Sequence, residues 1–285
     1  MNASRISLAT ATLATVGLAA TAVAQDWTAK AIAPVANPIY FESPLAQSEV
    51  RPIFIHHNLD DGFVGGGSVN VYAVQLRYAV NDRLAIIATK DGYIDTDTPG
   101  IGDRDGFADL AAGVKYAIYK DDEKQVVITP GVTVSLPTGN SDVFQGDGSG
   151  VVNAFVSAIK GWDNLHLTGN VGVQVPFDGD KDTSNLHYSL MLDYYTCQWF
   201  IPFVAFNAFT TLSDGAGLGI TTEGFDLINF GSANASGSTQ GAIGFGFRSR
   251  LLDNLDLGFA YETGIIEDGA DIFDDRITVD VAWRF

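Results

Sequence analysis

The feature that most constrains the fold of this chain is a series of twelve segments in which apolar and polar residues alternate. Period-two alternation places apolar side chains on one face of a β-strand and polar side chains on the other face. Beyond the N-terminus, no segment has the roughly 18 consecutive apolar residues that a membrane-spanning helix needs. The twelve segments cover residues 49–57, 68–80, 84–94, 107–120, 125–136, 150–161, 165–177, 186–196, 200–212, 239–251, 255–267 and 274–285.

The connections between these segments are alternately short and long. Residues 81–83 and 252–254 form short connections, whereas residues 95–106 and 213–238 form long ones that are rich in Gly and Asp. Transmembrane barrels have tight periplasmic turns and longer extracellular loops, and a soluble β-sandwich has no reason to keep this order along the whole chain. The pattern therefore predicts an all-β fold, a single antiparallel transmembrane β-barrel of about 12 strands over residues 48–285, with both termini on the periplasmic side.

The placement of aromatic residues agrees with this prediction. Trp162, Trp199 and Trp283 all lie at predicted periplasmic strand ends. Because aromatic rings concentrate at the membrane–water interface, these residues predict an aromatic girdle. Segments 150–161 and 200–212 are mixed on both faces, and their orientation stays open. On the other strands we expect these residues to face the lipid: Tyr72, Val74, Leu76, Tyr78, Leu110, Val114, Tyr116, Ile118, Leu167, Val171, Val173, Val175, Leu186, Tyr188, Leu190, Leu192, Ile243, Phe245, Phe247, Leu257, Phe259 and Tyr261.

The N-terminus has the pattern of an export signal. Arg5 precedes a stretch rich in Ala, Leu, Val and Thr, and residues 22–24 form a small-residue cleavage site. We therefore predict a cleaved signal peptide over residues 1–24 and an N-terminal periplasmic or lumen-plugging segment over residues 25–47. The long 213–238 loop contains the apolar run 224–230, which predicts that this loop folds over or into the barrel mouth.

Composition and motifs exclude several other classes of protein. A formal net charge of −18 argues against a nucleic-acid partner, which needs a basic surface. The D-x-D-x-D run at 178–182 and the acids Asp103, Asp105 and Asp109 lack a complete calcium-loop motif, so neither a metal nor a cofactor is predicted. His187 and Ser189 share a face that we expect to turn inward, and there is no G-x-S-x-G motif, so we predict no catalytic residues and no enzyme.

The predicted lumen carries charged side chains of both signs. Placing an Arg or Lys toward lipid costs up to about 4 kcal/mol at the bilayer midplane, so charged residues in the strands are assigned to the interior. Two hypotheses stay open: an internal network of ion pairs, or a region in which the basic residues attract small anions. The candidate lumen and selectivity residues are Arg77, Lys115, Arg248, Arg250, Arg284, Asp193, Glu262 and Asp280.

Several motifs across the chain resemble a family of bacterial outer-membrane barrels. The family is that of the transporters named for the MetA pathway of phenol degradation. The resemblance implies the barrel fold and brings no catalytic residues. The segments that carry it are Asn37–Pro44, Glu49–Phe54, Ala88–Tyr93, Pro137–Asn140, Glu223–Asn229 and the terminal Trp283-Arg284-Phe285.

These observations predict a monomeric barrel of the Gram-negative outer membrane. Its expected partners are outer-membrane lipid, lipopolysaccharide and a small-molecule solute, with no nucleic acid. The leading functional hypothesis is passive passage of a small solute through a narrow, partly charged lumen. The alternative is a closed structural or surface-interaction barrel that conducts nothing and acts through its acidic extracellular loops.

Overall fold

The computed structural model describes residues 27–100, 102–267 and 272–285. The signal peptide predicted over residues 1–24 lies outside the described residues. Within the described ranges, no helix combines the length and the apolar character needed to cross a bilayer.

The described residues form a closed antiparallel barrel of twelve strands. Each strand pairs with the next, and the first strand also pairs with the last, which closes the sheet. The predicted all-β barrel is therefore confirmed. The strands are β1 (Glu49–Leu59), β2 (Gly67–Ala79), β3 (Leu84–Lys90 and Tyr93–Asp97), β4 (Arg104–Phe107, Leu110–Tyr116 and Tyr119–Asp121), β5 (Val126–Leu136), β6 (Val151–Trp162), β7 (Leu165–Pro176), β8 (Ser184–Tyr194), β9 (Ile201–Ser213), β10 (Thr239–Leu252), β11 (Leu255–Glu267) and β12 (Phe273–Arg284).

Strands β3 and β4 are interrupted where the sequence predicts continuous segments. Gly92 has a φ of +118°, and a Cβ atom there would lie 2.5 Å from the carbonyl oxygen of Tyr72. Beside the interruption of β3 and the first interruption of β4, a carboxylate binds backbone N–H groups: Asp91 accepts one from Val74, and Asp109 accepts those of Gly139 and Gly146. These side chains satisfy backbone donors outside the regular ladder.

The outer surface of the barrel is a continuous apolar belt. Along β8, for example, Leu190 faces outward and is 49% exposed, whereas the adjacent Met191 faces inward and is fully buried. Trp162, Trp199 and Trp283 are all exposed at the end of the barrel where the short turns lie. An apolar outer band flanked by aromatic residues is the surface of a transmembrane barrel.

The barrel interior is filled by two segments that are not strands. Residues 27–47 run inside the ring of strands, where Phe41 packs with Met191 and Phe203. The 213–238 loop folds into the opposite end, where Phe225 packs against Phe209 with ring centroids 5.3 Å apart. These contacts explain why alternation is weak in β6 and β9: their inward residues include Phe155, Phe203 and Phe209, which contact protein instead of water.

Candidate permeation pathway

The N-terminal segment is held in the lumen largely through its backbone carbonyl groups. Side chains from several strands donate hydrogen bonds to these carbonyl oxygens, and most of the donors are positively charged. Because the acceptors belong to the backbone, these bonds do not depend on which side chains the segment carries. The bonds run from Arg51 to Pro34, Arg248 to Ala33, Arg250 to Ala29 and Ala31, Gln75 to Pro38, Thr129 to Pro44, Ser157 to Glu42, and Lys115 to Ser43 and Leu45.

Glu42 is the charged side chain through which the segment binds the barrel wall. Its carboxylate lies 2.6 Å from Arg77 Nη2 and 2.7 Å from Lys115 Nζ, and all three side chains are buried. Arg77 also contacts Glu49 at 2.9 Å. The structure thus brings together two of the predicted basic residues through an acid that the sequence analysis did not identify.

A second group of charges surrounds Asp280. Arg248 lies 2.9 Å from this buried carboxylate, and Arg51 binds the same carboxylate from β1. Near the periplasmic end, Asp256 is shared by Arg250 at 3.9 Å and by Arg284. In each group two guanidinium groups share one carboxylate, which leaves the group with one excess positive charge.

Another group of charges anchors the extracellular loop. Arg276 on β12 binds Asp226 of the loop at 2.7 Å and Glu262 of β11 at 2.8 Å. The sequence analysis missed Arg276, although it lies four residues before Asp280 on the same strand and therefore on the same face. Asp193 stands apart from these arginine groups, because its carboxylate lies 2.7 Å from His166 Nδ1. The predicted residues thus occupy five separate groups inside the barrel.

Two cavities lie at opposite ends of the barrel. The periplasmic cavity has a volume of about 730 Å³ and is lined by Arg248, Arg250 and Arg284 together with Tyr195. The extracellular cavity, of about 50 Å³, is lined by polar side chains that include Asn153 and Asn185. The N-terminal segment lines the periplasmic cavity with Ala33 and Leu45 and reaches the extracellular cavity at Ile39 and Tyr40, so it passes between the two cavities in both directions. The structure therefore has an entrance at each end and a narrow, occupied centre.

Acidic side chains gather beside the extracellular cavity. Burial, followed by the nearby carboxylates of Glu223 and Asp109, raises the pKa of Asp182 to about 6. Burial also raises the pKa of Glu223, although its carboxylate accepts backbone N–H groups from Phe230 and Ser232 within the loop. Among the described residues, no group of three or more His, Cys, Asp and Glu side chains is placed to hold a metal ion.

The histidines do not form a lipid-facing catalytic arrangement. His187 and Ser189 are both buried on the inner face, and His187 Nε2 lies 2.8 Å from Asn153 Oδ1. On β1, His56 contacts Asn70 at 2.7 Å, whereas His57 points inward and is buried. The folded-in loop covers His57.

Comparisons with known proteins agree with this architecture. A family model described as "Putative MetA-pathway of phenol degradation" matches residues 52–274. The chain is similar to an outer membrane channel from Pseudomonas putida F1, at 13% identity and a TM-score of 0.60 over 84% of this chain and 96% of the channel. It is also similar to the NanC porin, at 10% identity and a TM-score of 0.54 over 84% of this chain and 100% of the porin. A third similar structure is the β domain of the Bordetella autotransporter BrkA, at 10% identity and a TM-score of 0.51 over 84% of this chain and 99% of the domain. No curated protein matches the chain.

Proposed function

The chain belongs to the family described as "Putative MetA-pathway of phenol degradation", and from this membership and the barrel fold we propose that it is an outer-membrane channel. A small solute passes passively through its narrow, partly charged lumen. The similar Pseudomonas channel and NanC porin support this proposal through their fold.

The observation that carries the proposal is the polarity of the interior. A barrel with a purely structural role has no need of charged groups at its centre, since burying them is costly. Here Arg51, Lys115, Arg248 and Arg276 are nearly fully buried on the inner face, and cavities open at both ends. The N-terminal segment that narrows the lumen is held only by hydrogen bonds, ion pairs and packing contacts. It can therefore shift without the breaking of a covalent bond.

The excess positive charge of two of the groups gives the proposed channel a preference among ions. Arg51 and Arg248 share Asp280, and Arg250 and Arg284 share Asp256. Both groups lie in the periplasmic half, and Arg248, Arg250 and Arg284 line the periplasmic cavity. A pore wall with excess positive charge favours anions over cations.

Single-channel recording of the refolded mature protein in planar bilayers, with reversal potentials in a KCl gradient, tests the proposal. We expect small conductance steps with anion preference, and we expect the double substitution Arg250→Ala and Arg284→Ala to reduce that preference. Lys160→Ala serves as the control, since Lys160 lies outside the lumen beside Trp162. Folded protein that gives no steps, even after Glu42→Gln weakens the seat of the N-terminal segment, would contradict the channel.

The filled interior favours one alternative function. Because residues 27–47 and the 213–238 loop both occupy the lumen, a closed structural barrel that acts through its acidic loops is the second candidate. The same recordings decide between the two. An enzymatic role has less support, since His187 and Ser189 face the interior, away from the lipid that a barrel lipase would attack.

A further inference from the structure

One wall of the lumen carries a row of buried, uncharged polar side chains. Ser157, Asn170, Ser189 and Asn207, here named the polar row, lie at one level on the consecutive strands β6, β7, β8 and β9. Asn170 is paired in register with Ser157 and with Ser189, and Ser189 is paired with Asn207. All four point inward and are at most 6% exposed.

The centre of the polar row has hydrogen-bonding capacity that the protein does not use. Asn170 Nδ2 donates to Ser157 Oγ at 2.8 Å, and Asn207 Nδ2 donates to Glu262 at 2.8 Å. Within the described part of the chain, Asn170 Oδ1, Ser189 Oγ and Asn207 Oδ1 are buried without a hydrogen-bond partner. A buried polar atom without a partner costs about 1–3 kcal/mol, so such atoms indicate a place where water or a solute binds.

Aromatic rings lie between the polar row and the extracellular cavity. Tyr40 of the N-terminal segment lies 5.1 Å from the His187 ring and 5.4 Å from the Phe209 ring, measured between centroids. Gly172 keeps this level open for the other rings, since a Cβ atom there would lie 2.3 Å from His187 Nε2 and 2.8 Å from Phe155 Cβ. Beyond the rings, Asn153 and Asn185 line the extracellular cavity. From the extracellular cavity inward, this wall therefore carries the amide groups of Asn153 and Asn185, then the faces of the aromatic rings, and then the polar row.

The N-terminal segment is bound less firmly to β7, β8 and β9 than to the strands that donate hydrogen bonds to its backbone. Its backbone carbonyls accept hydrogen bonds from β1, β2, β4, β5, β6 and β10. Against β7, β8 and β9 its described contacts are mainly between rings and apolar groups, such as Tyr40 with His187 and Phe41 with Met191. The seam between the segment and β7–β9 is therefore where the segment separates most easily from the barrel.

We propose that this seam is the solute path and that the polar row is a binding site for small, uncharged, polyhydroxylated solutes. This inference rests on the proposed channel function. The unused amide oxygens accept hydrogen bonds from solute hydroxyl groups, and the ring faces pack against the C–H surface of the solute. A charged solute would lose its hydration there and find no counter-charge in the polar row, because the side chains of the row are uncharged and the excess positive charge lies in the periplasmic half.

Tracer release from proteoliposomes tests the proposal with two five-carbon probes that differ in charge, arabinose and arabonate. We expect the wild-type channel to release arabinose at least about fivefold faster than arabonate, the ratio that corresponds to roughly one hydrogen bond. Ser189→Ala removes an unpartnered hydroxyl without adding volume, and it should slow arabinose release by about two- to fivefold. Thr278→Val is the matched control, since the Thr278 hydroxyl is equally buried and unpartnered but lies on the charged wall.

Thiol labelling locates the path independently of transport rates. The variants Ser189→Cys and Thr278→Cys are made in a Cys197→Ser background, which removes the one native thiol. We expect an uncharged methanethiosulfonate to modify the first variant faster than the second in folded barrels, and a sulfonated analogue to modify the first poorly.

Different results would contradict the solute site in the polar row and the channel function itself. Equal release of the two probes, or equal effects of Ser189→Ala and Thr278→Val, would overturn the polar row as the binding site while leaving a channel. An unreactive thiol at position 189 in a channel that releases arabinose would place the path elsewhere. Folded protein that passes neither probe nor chloride would overturn both proposals.

Discussion

At the scale of single residues, the interior is organised by charges that lie within contact distance of opposite charges. Asp280 illustrates the principle, because it is fully buried and binds both Arg51 and Arg248. Burial of such charges is tolerated only while every partner is present. Removing one charge therefore lowers the free energy of unfolding by more than the intact group of charges contributes to it.

We expect Asp280→Asn to lower the free energy of unfolding by about 3–5 kcal/mol, since it leaves two buried guanidinium groups without a carboxylate. Asp82→Asn is the matched control, because Asp82 pairs with Lys120 at 3.4 Å but its side chain is 69% exposed. That surface substitution should cost less than about 1 kcal/mol. Urea unfolding in lipid vesicles measures both variants, and equal losses would contradict the role of Asp280.

The raised pKa of Asp182 predicts a dependence of stability on pH. Its pKa of about 6 in the folded protein exceeds the ordinary value of 3.8, so the folded state binds more protons between these two values. Stability should therefore fall as pH rises through this window. We expect Asp182→Asn to reduce the fall in urea midpoint between pH 4 and pH 6.5, whereas Asp180→Asn, on the exposed part of the same loop, should not. Parallel pH profiles of the two variants would count against this assignment.

At the scale of elements, the N-terminal segment is seated by close packing as well as by hydrogen bonds. Trp27 in the first short helical turn (Trp27–Ala29) is buried against β6. A Cβ atom on Gly161 would lie 2.7 Å from Trp27 Cε3, so the absence of a side chain at Gly161 makes room for this ring.

We expect Gly161→Ala to displace Trp27 and loosen the segment, because a contact of 2.7 Å is too short for a methyl group. The barrel should still fold, and conductance events should become roughly fivefold or more frequent, as expected for an overpacking cost of at least about 1 kcal/mol. Gly169→Ala on β7 is the control, since the nearest atom to its Cβ would lie at 3.6 Å. Indistinguishable recordings from the two variants would contradict the role of Gly161 in making room for Trp27.

The strands could be predicted from the sequence where each side faces a uniform environment. Leu190 and Leu192 alternate with buried residues because one face of β8 contacts lipid and the other the lumen. The orientation of β9 could not be predicted in this way, because Phe203 and Phe209 face inward and pack against distant parts of the chain. Local alternation contains no information about those partners.

The candidate site could be predicted in part for the same reason. Strand alternation predicts that Arg248 and Asp280 face the lumen. It also predicts this for Arg276, which lies four residues, or two steps of the alternation, before Asp280 on the same strand. Glu42 and Asp226 could not be predicted, because they lie in irregular segments whose positions inside the barrel depend on tertiary contacts. Sequence periodicity therefore identified wall residues and missed their partners from the plugging segments.

At the scale of the whole molecule, the structure combines an apolar exterior with a charged interior. This distribution is the reverse of that in a soluble protein, and it fixes the location of the barrel in a lipid environment. The described exterior includes exposed large apolar residues on strands β2 to β12, whereas the buried ion pairs lie inside.

We expect Leu190→Arg to impair insertion, because the residue lies in the middle of β8 and faces lipid. A charge near the bilayer midplane costs about 2–4 kcal/mol. Leu218→Arg, in the extracellular loop and 38% exposed, should insert normally. The fraction of heat-modifiable folded barrel after refolding into vesicles measures the difference, and normal insertion of Leu190→Arg would contradict the placement of this belt.

Anchoring the N-terminal segment through carbonyl oxygens has a consequence for how such a chain diversifies. Ala29, Ala31 and Ala33 contribute their backbone to the bonds with Arg250 and Arg248, and each carries only a methyl group. Larger side chains at the exposed Ala29 or the half-buried Ala33, which line the periplasmic cavity, would narrow the bore while the segment stayed bound. The width of the pore and the hydrogen bonds that hold the N-terminal segment can therefore change independently during evolution. Related proteins can admit solutes of different size while the strand residues that bind the segment stay the same.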